Sequence, residues 1–388
     1  MRRPVLASLV VVMCGFTVYA QQTPSRESAV AKCESFTVPG GDKALRKGVE
    51  YVGLGTDGKQ HYFVVGTGTE SRSVSMVAEG IGRVFFTGGP GEVLLYVPGE
   101  KKPARVFKGF GREVNATAFS SDGGRCCVLT GLSKPELFIV DVVTGRAGRG
   151  HRVDLRIDVG HQLGFLPGAK SWVLAYPDDQ AKTAICSWRP DQAPEALLSI
   201  PGSGRYVYWE TAQSSNQNYF VAYYREIGTP SGTMVVMDCT KPAPEAIGRW
   251  KVQLPDYNCW LAISNNGKNV AVVPFRGDHT KGGGELRVLD AQSGVLRQHI
   301  RHEGVGRIDF SPGSDLIATA APQATRILFF AVSTGKLVRA VQFRSTTIAN
   351  GYIDTVQGLV FSPKNDWLLC ATACGGLHLF PCSLPPGN

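Results

Sequence analysis

The sequence predicts an all-β chain assembled from repeated copies of one strand, turn, strand unit. Three observations carry this. Helical periodicity is nearly absent, and short apolar runs rich in Val, Ile, Phe and Tyr recur between clusters of Gly, Pro, Asn and Asp, the pattern of many short strands. One turn signature returns along the chain, and a second, different signature follows it in fixed order.

The first signature is Ala118-Phe119-Ser120-Ser121-Asp122-Gly123-Gly124. It returns as Ala262-Ile263-Ser264-Asn265-Asn266-Gly267-Lys268, as Asp309-Phe310-Ser311-Pro312-Gly313-Ser314-Asp315 and as Val360-Phe361-Ser362-Pro363-Lys364-Asn365-Asp366. A cruder copy is Phe165-Leu166-Pro167-Gly168. In each, an apolar residue ends one strand and Ser, Asp, Asn, Gly or Pro supply the tight turn. The next strand follows at 126–129, 269–273, 316–320 or 367–371. The second signature closes a third strand: Leu137-Phe138-Ile139-Val140-Asp141 before Val142-Val143-Thr144-Gly145, and Leu286-Arg287-Val288-Leu289-Asp290 before Ala291-Gln292-Ser293-Gly294. Ile327-Leu328-Phe329-Phe330 before Ala331-Val332-Ser333-Thr334-Gly335 repeats it. Asp141 and Asp290 each stand three residues before Thr144 or Ser293, which predicts a turn-forming role rather than a catalytic one.

These motifs resemble the WD40 family, whose blades commonly carry a Phe-Ser-Pro-Asp-Gly turn between the first two strands and an Asp-x-x-Thr-Gly turn after the third. The resemblance spans about residues 73–384 and is strongest over 114–146 and 258–382. The sequence departs from the family in having no Trp-Asp dipeptide, its place being taken by Val140-Asp141, Leu289-Asp290 and Phe330-Ala331. Gly150-His151 and Gly160-His161 do not stand at the usual distance before the turn. The resemblance implies a seven-bladed β-propeller of four-stranded antiparallel blades. Its blades fall near 73–112, 113–155, 156–200, 201–256, 257–303, 304–345 and 346–384, close to the roughly 40–45 residues of one blade. The fourth and fifth are long, which predicts exposed loops at 226–232 and 276–284.

The two ends do not match. The last unit offers three strands and runs out in Pro385-Pro386, whereas 50–54 and 61–65 are strand-like with no blade of their own. An N-terminal strand that completes the last sheet would protect both open edges.

The first twenty residues follow the pattern of a secretory signal: Arg2 and Arg3, an apolar stretch over 4–17, and Val18-Tyr19-Ala20 as a small-residue cleavage site. The apolar stretch is shorter than the about 20 residues that span a bilayer. The expected organisation is a signal peptide over 1–20, an N-terminal extension over 21–44 and a propeller over 45–388. The expected address is secreted, or periplasmic and cell-envelope, with no transmembrane segment after cleavage. Losing Arg2 and Arg3 leaves 39 basic residues against 32 acidic, a net charge of +7. No run of five Lys or Arg occurs, and no nucleic-acid partner is expected. Nine of the ten cysteines remain after cleavage. Several lie in apolar strands, as in Cys126-Cys127-Val128-Leu129, and are expected to be small buried hydrophobes.

Catalytic motifs are missing: there is no Gly-x-Ser-x-Gly elbow, no phosphate-binding Gly-x-x-x-x-Gly-Lys-Ser/Thr loop and no Cys-x-x-Cys. His299-Ile300-Arg301-His302-Glu303 has a zinc-protease spacing, but it lies at a strand end and not on the helix that would converge both rings. Ser120, Asp122 and Gly124 match part of the Asp-box of sialidase propellers and are equally explained by the blade turn. Asn115-Ala116-Thr117 is a glycosylation sequon at the start of a strand. Asp178, Asp179 and Glu210 carry oxygens suited to a hard metal ion at a channel mouth, as carboxylates do in lactonase-type propellers. Solvated carboxylates are the simpler account of them. The candidate ligand-contact loop is the polar stretch containing Asp278, His279 and Lys281.

The expectation is an exported, monomeric, non-enzymatic binding or scaffold propeller for a protein or other ligand, with no cofactor, metal or catalytic residue. A metal-dependent, lactonase-like hydrolase is the alternative.

Overall fold

The middle strands of the blades have two apolar surfaces to cover, as in β19 over Asn269–Phe275, whereas outer strands such as Leu296–Arg301 are mostly exposed. The computed structural model describes residues 34–37, 48–56, 59–68, 90–131, 135–152, 163–177, 183–190, 192, 195–200, 207–226, 229, 231–254, 258–275, 284–323, 325–343, 355–373 and 376–382. Among them are seven antiparallel sheets of four strands.

The first sheet holds β2 (Gly48–Thr56), β3 (His61–Gly68), β4 (Gly91–Tyr96) and β5 (Arg105–Phe110), preceded in the chain by β1 (Glu34–Thr37). The second holds β6 (Val114–Phe119), β7 (Arg125–Thr130), β8 (Glu136–Asp141) and β9 (His151–Arg152). The third holds β10 (Leu163–Leu166), β11 (Ser171–Pro177), β12 (Thr183–Trp188) and β13 (Glu195–Ile200). The fourth holds β14 (Val207–Gln213), β15 (Tyr219–Glu226), β16 (Ser231–Asp238) and β17 (Glu245–Gln253). The fifth holds β18 (Asn258–Ile263), β19 (Asn269–Phe275), β20 (Glu285–Asp290) and β21 (Leu296–Arg301). The sixth holds β22 (Arg307–Phe310), β23 (Leu316–Ala320), β24 (Arg326–Ala331) and β25 (Leu337–Gln342). The seventh holds β26 (Val356–Phe361), β27 (Trp367–Thr372) and β28 (Gly376–Pro381), and β1 completes it by pairing antiparallel with β28, Glu34 opposite Leu379 and Thr37 opposite Gly376.

The chain is therefore a seven-bladed propeller. First strands touch first strands: β2 meets β6, β6 meets β10, β14 meets β18, β18 meets β22, β22 meets β26, and β26 returns to β2. Between β10 and β14 the Gln213 amide accepts the Phe165 N–H at 3.0 Å and donates to the Phe165 carbonyl, so one side chain imitates a strand neighbour.

Core clusters form one to each blade interface, and side-chain alternation along a strand feeds two of them. Val270 and Val272 of β19 pack toward the fourth blade, while Ala271 and Val273 pack toward the sixth. Cys126 and Val128 of β7 face the first blade, while Cys127 and Leu129 face the third. This is why these strands are continuous apolar runs rather than alternating ones. The described cysteines fit: Cys126, Cys127, Cys186, Cys239, Cys259 and Cys370 are buried, and Cys382 is half-buried. Burial pushes the Cys126 and Cys127 thiols well up. Cys33 and Cys374 lie outside the described residues.

Two sequence expectations are corrected. The runs at 50–54 and 61–65 do not lack a blade: they belong to β2 and β3, the inner half of the first sheet, so that blade begins at Gly48 and not near 73. Closure falls instead to β1, upstream of the boundary drawn at 45. The fourth blade is long because its strands run to 7, 8, 8 and 9 residues, not because of a loop over 226–232. Glu226 ends β15, and Gly232 is buried in β16, where a Cβ would stand 2.2 Å from the Tyr223 ring. Most of the other proposed loop, 276–284, lies outside the described residues.

The repeated turns hold one another across blades. The Asn265 Oδ1 accepts from Ser215 Oγ at 2.9 Å and from the Asn216 N–H at 3.1 Å, while its Nδ2 donates to the Pro312 carbonyl at 3.2 Å. Gln217 Nε2 reaches the Phe119 carbonyl of the second blade at 2.9 Å. Asp141 and Asp290 form turns as expected: Asp141 Oδ1 accepts the Thr144 N–H at 2.7 Å and hydroxyl at 2.9 Å, and Asp290 does the same for Ser293 at 2.8 Å each.

Candidate functional site

The outermost strand of the second blade is broken, and the break builds a cleft. After β8 the chain turns at 141–144, and Gly145 at φ +69° returns its N–H to the Asp141 carbonyl. Ala147 bridges Val140, the Gly148 N–H reaches the Ile139 carbonyl, and regular pairing resumes only at β9, His151 opposite Leu137 and Arg152 opposite Glu136. Gly150 permits the gap to close over Phe138, because a Cβ there would stand 2.8 Å from the ring. His151 meets the edge of Trp188 from the third blade at 5.5 Å.

The resulting cleft has a volume of about 1150 Å³, and Pro190 of the third blade lines its far side. Arg125, Arg146, Arg149 and Arg152 line it with His151, against two carboxylates, Glu136 and Asp141. Those carboxylates are engaged. Glu136 lies 3.8 Å from Arg152, and Asp141 holds Thr144. The Thr144 N–H bond is the largest reason the Asp141 carboxyl sits below its ordinary range. Positive charge is thus in excess over an open surface.

The residues singled out in sequence do not gather here. Asp278, His279 and Lys281 lie outside the described residues, as do Asp178 and Asp179. Glu210 is buried in β14. His299 lies on β21 with Nε2 2.9 Å from Glu285, whereas the His302 Nδ1 accepts the Gly304 N–H at 3.0 Å and its ring meets Phe330. The two histidines serve different neighbours, as their strand-end position implied. Ser120, Asp122 and Gly124 form a turn: Asp122 Oδ1 accepts the Ser120 hydroxyl at 2.6 Å and the Gly124 N–H at 2.9 Å. The Asn115 amide nitrogen of the sequon is buried. Among the described residues no three His, Cys, Asp or Glu gather as a metal site, and no helix is long and apolar enough to cross a membrane. Sequence reasoning missed the cleft. Its signal was Arg146, Arg149 and Arg152 at a spacing of three between Gly145, Gly148 and Gly150.

The β-propeller domain of Cps50 (Swd1) from Myceliophteria thermophila superposes with a TM-score of 0.56, covering 87% of this chain and 100% of that one at 12% identity. The fold is that of a β-propeller. Autophagy-related protein 21 of Schizosaccharomyces pombe is 33% identical over 104 residues, 26% of this chain, and the chain spans only 29% of that relative's length. No family model matches the chain.

Proposed function

We propose that the protein is an exported, monomeric, non-enzymatic propeller that serves as a binding or scaffold module for a protein partner. The observation that carries this reading is the arginine-lined cleft on the rim of the second blade. A reaction needs groups that converge on one atom. Here Arg146, Arg149 and Arg152 are instead spread over seven residues of chain, at most about 20 Å in extended form, which suits the broad surface of a macromolecule. The seven interlocked sheets behind the cleft supply a rigid support, the arrangement on which binding loops are commonly carried. Export rests on the tripartite pattern of residues 1–20.

Metal and chromophore analysis of the purified mature chain, with mass spectrometry of its N-terminus, tests the reading. The expected result is Gln21 at the N-terminus and no stoichiometric ion or chromophore. A bound ion at one per chain would favour a metal-dependent hydrolase, and an intact Met1 on exported material would remove the export arm.

A further inference from the structure

We infer that the cleft on the second blade takes an extended acidic segment of a partner protein, one that alternates carboxylate and apolar side chains. The inference rests on the binding reading above and names the chemistry of the partner.

The first support is the placement of charge. On a regular strand Arg149 would point away from Arg146 and Arg152, since odd and even positions face opposite sides. The interruption at 148–150 re-aims the chain, and all three arginines line one cleft together with Arg125 from β7. Among the described residues Arg146 and Arg149 make no ion pair, and both are exposed. Arginine forks match carboxylates bidentately, and a row of them meets a row of acids better than it meets one small anion. The second support is the apolar component. Ile139 and Pro190 line the cleft, and Val143, in the turn at its edge, is 74% exposed. A free phosphate has no use for these apolar positions, whereas an extended Glu–Val chain turns its carboxylates to one side, toward the arginines of the second blade, and its apolar side chains to the other, toward Pro190 of the third. The third support is the backbone. β9 is two residues long, so the rim of this blade presents a short, interrupted edge beside which an extended segment can lie.

The test uses the mature full-length chain and a fluorescein-labelled decapeptide of five Glu–Val repeats, followed by anisotropy. A Gln–Val decapeptide, inorganic phosphate, and vesicles of phosphatidylcholine mixed with anionic phosphatidylglycerol complete the set as controls. The expected result is binding of the Glu–Val peptide that weakens with salt, at least about tenfold loss in the Arg146→Glu, Arg149→Glu double variant, an unchanged melting temperature in that variant, and unaltered binding in Lys336→Glu on the sixth blade. Equal affinity of the double variant overturns the inference. So does displacement by phosphate beyond that of chloride at the same ionic strength, or binding of the vesicles without the peptide. A wild-type chain that ignores the peptide yet carries no metal overturns this inference alone. A stoichiometric metal overturns the scaffold reading whatever the peptide does.

Discussion

Asp309 Oδ2 accepts the backbone N–H of Phe361 at 3.0 Å, a bond from the first strand of the sixth blade to the first strand of the seventh. Its other oxygen accepts the Phe310 N–H at 2.9 Å. The corresponding positions of the other turn units are Ala118, Ala262 and Val360, all buried and apolar. A carboxyl therefore stands where the repeat calls for a hydrocarbon, and it acts as a latch between blades.

Burial pushes the Asp309 pKa up to about 7, against the opposing pull of the two N–H bonds. A carboxyl with a folded-state pKa above its unfolded value of 3.8 contributes stability that is full below about pH 4 and is lost as pH rises through about 7. Asp309→Asn keeps an acceptor for Phe361 and cannot ionise. The melting temperature of the wild type relative to this variant should fall by at least about 3 °C between pH 5 and pH 8. Parallel curves for the two proteins would show that Asp309 does not titrate in this range.

Asp290 and Asp141 make the same turn, but Asp290 also takes a bond from Arg297, which is the largest cause holding its carboxyl below the usual range. Asp290→Ala should thus cost more than Asp141→Ala, whose melting temperature should drop by about 1–2 °C. Because the Asp290 pKa is lowered, its contribution is present above the unfolded value and fades as pH falls toward the folded one. Thermal melts at pH 7 and pH 3 check both points; the reverse ranking would mean that Arg297 adds nothing to the turn.

Gly168 lies in the third blade's turn against the fourth blade, where a Cβ would stand 2.0 Å from the Lys241 carbonyl oxygen, and its N–H reaches the Cys239 carbonyl at 3.1 Å. Backbone cannot yield as a side chain tip can. Gly168→Ala should destabilise by about 1–3 kcal/mol. Denaturant midpoints measure it, and a neutral result would separate the two blades at this point.

What the sequence made legible follows from where the repeat lives. Phe119-Ser120, Phe310-Ser311 and Phe361-Ser362 recur because the same turn must be made in each blade: Ser120 Oγ accepts the Arg125 N–H, Ser311 Oγ that of Leu316, and Ser362 Oγ that of Trp367. Between β2 and β3 the first blade carries the sequence Asp57-Gly58-Lys59-Gln60 instead. With no serine to mark it, and with 22 residues between the end of β3 and the start of β4, its two halves did not register as one sheet. β1 is four residues long, too short for any alternation to show, and only its partner gives it meaning. The cleft was hidden for a different reason: Arg125 and Arg149 are far apart in sequence, and a strand break, not a motif, brings them to one surface.

Ring closure rests on the pairing of Glu34–Thr37 with Gly376–Pro381, and it makes these two strands part of one sheet. Deleting residues 21–40 removes β1 and spares β2. The whole propeller should then lose stability in one transition, because an uncovered outer strand leaves the seventh blade with an open edge. A monomer melting at the full-length temperature would contradict this.

Hydrogen exchange of the intact mature chain, read by mass spectrometry, tests the closed ring most directly. Protection reports the free energy of opening each segment, so a closing strand and its partner should open together. The account predicts that the amides of residues 34–37 exchange as slowly as those of 376–381, both on the timescale of global unfolding. Exchange of 34–37 at the rate of an unstructured peptide, with 376–381 still protected, would show that the ring is not closed by its N-terminal strand.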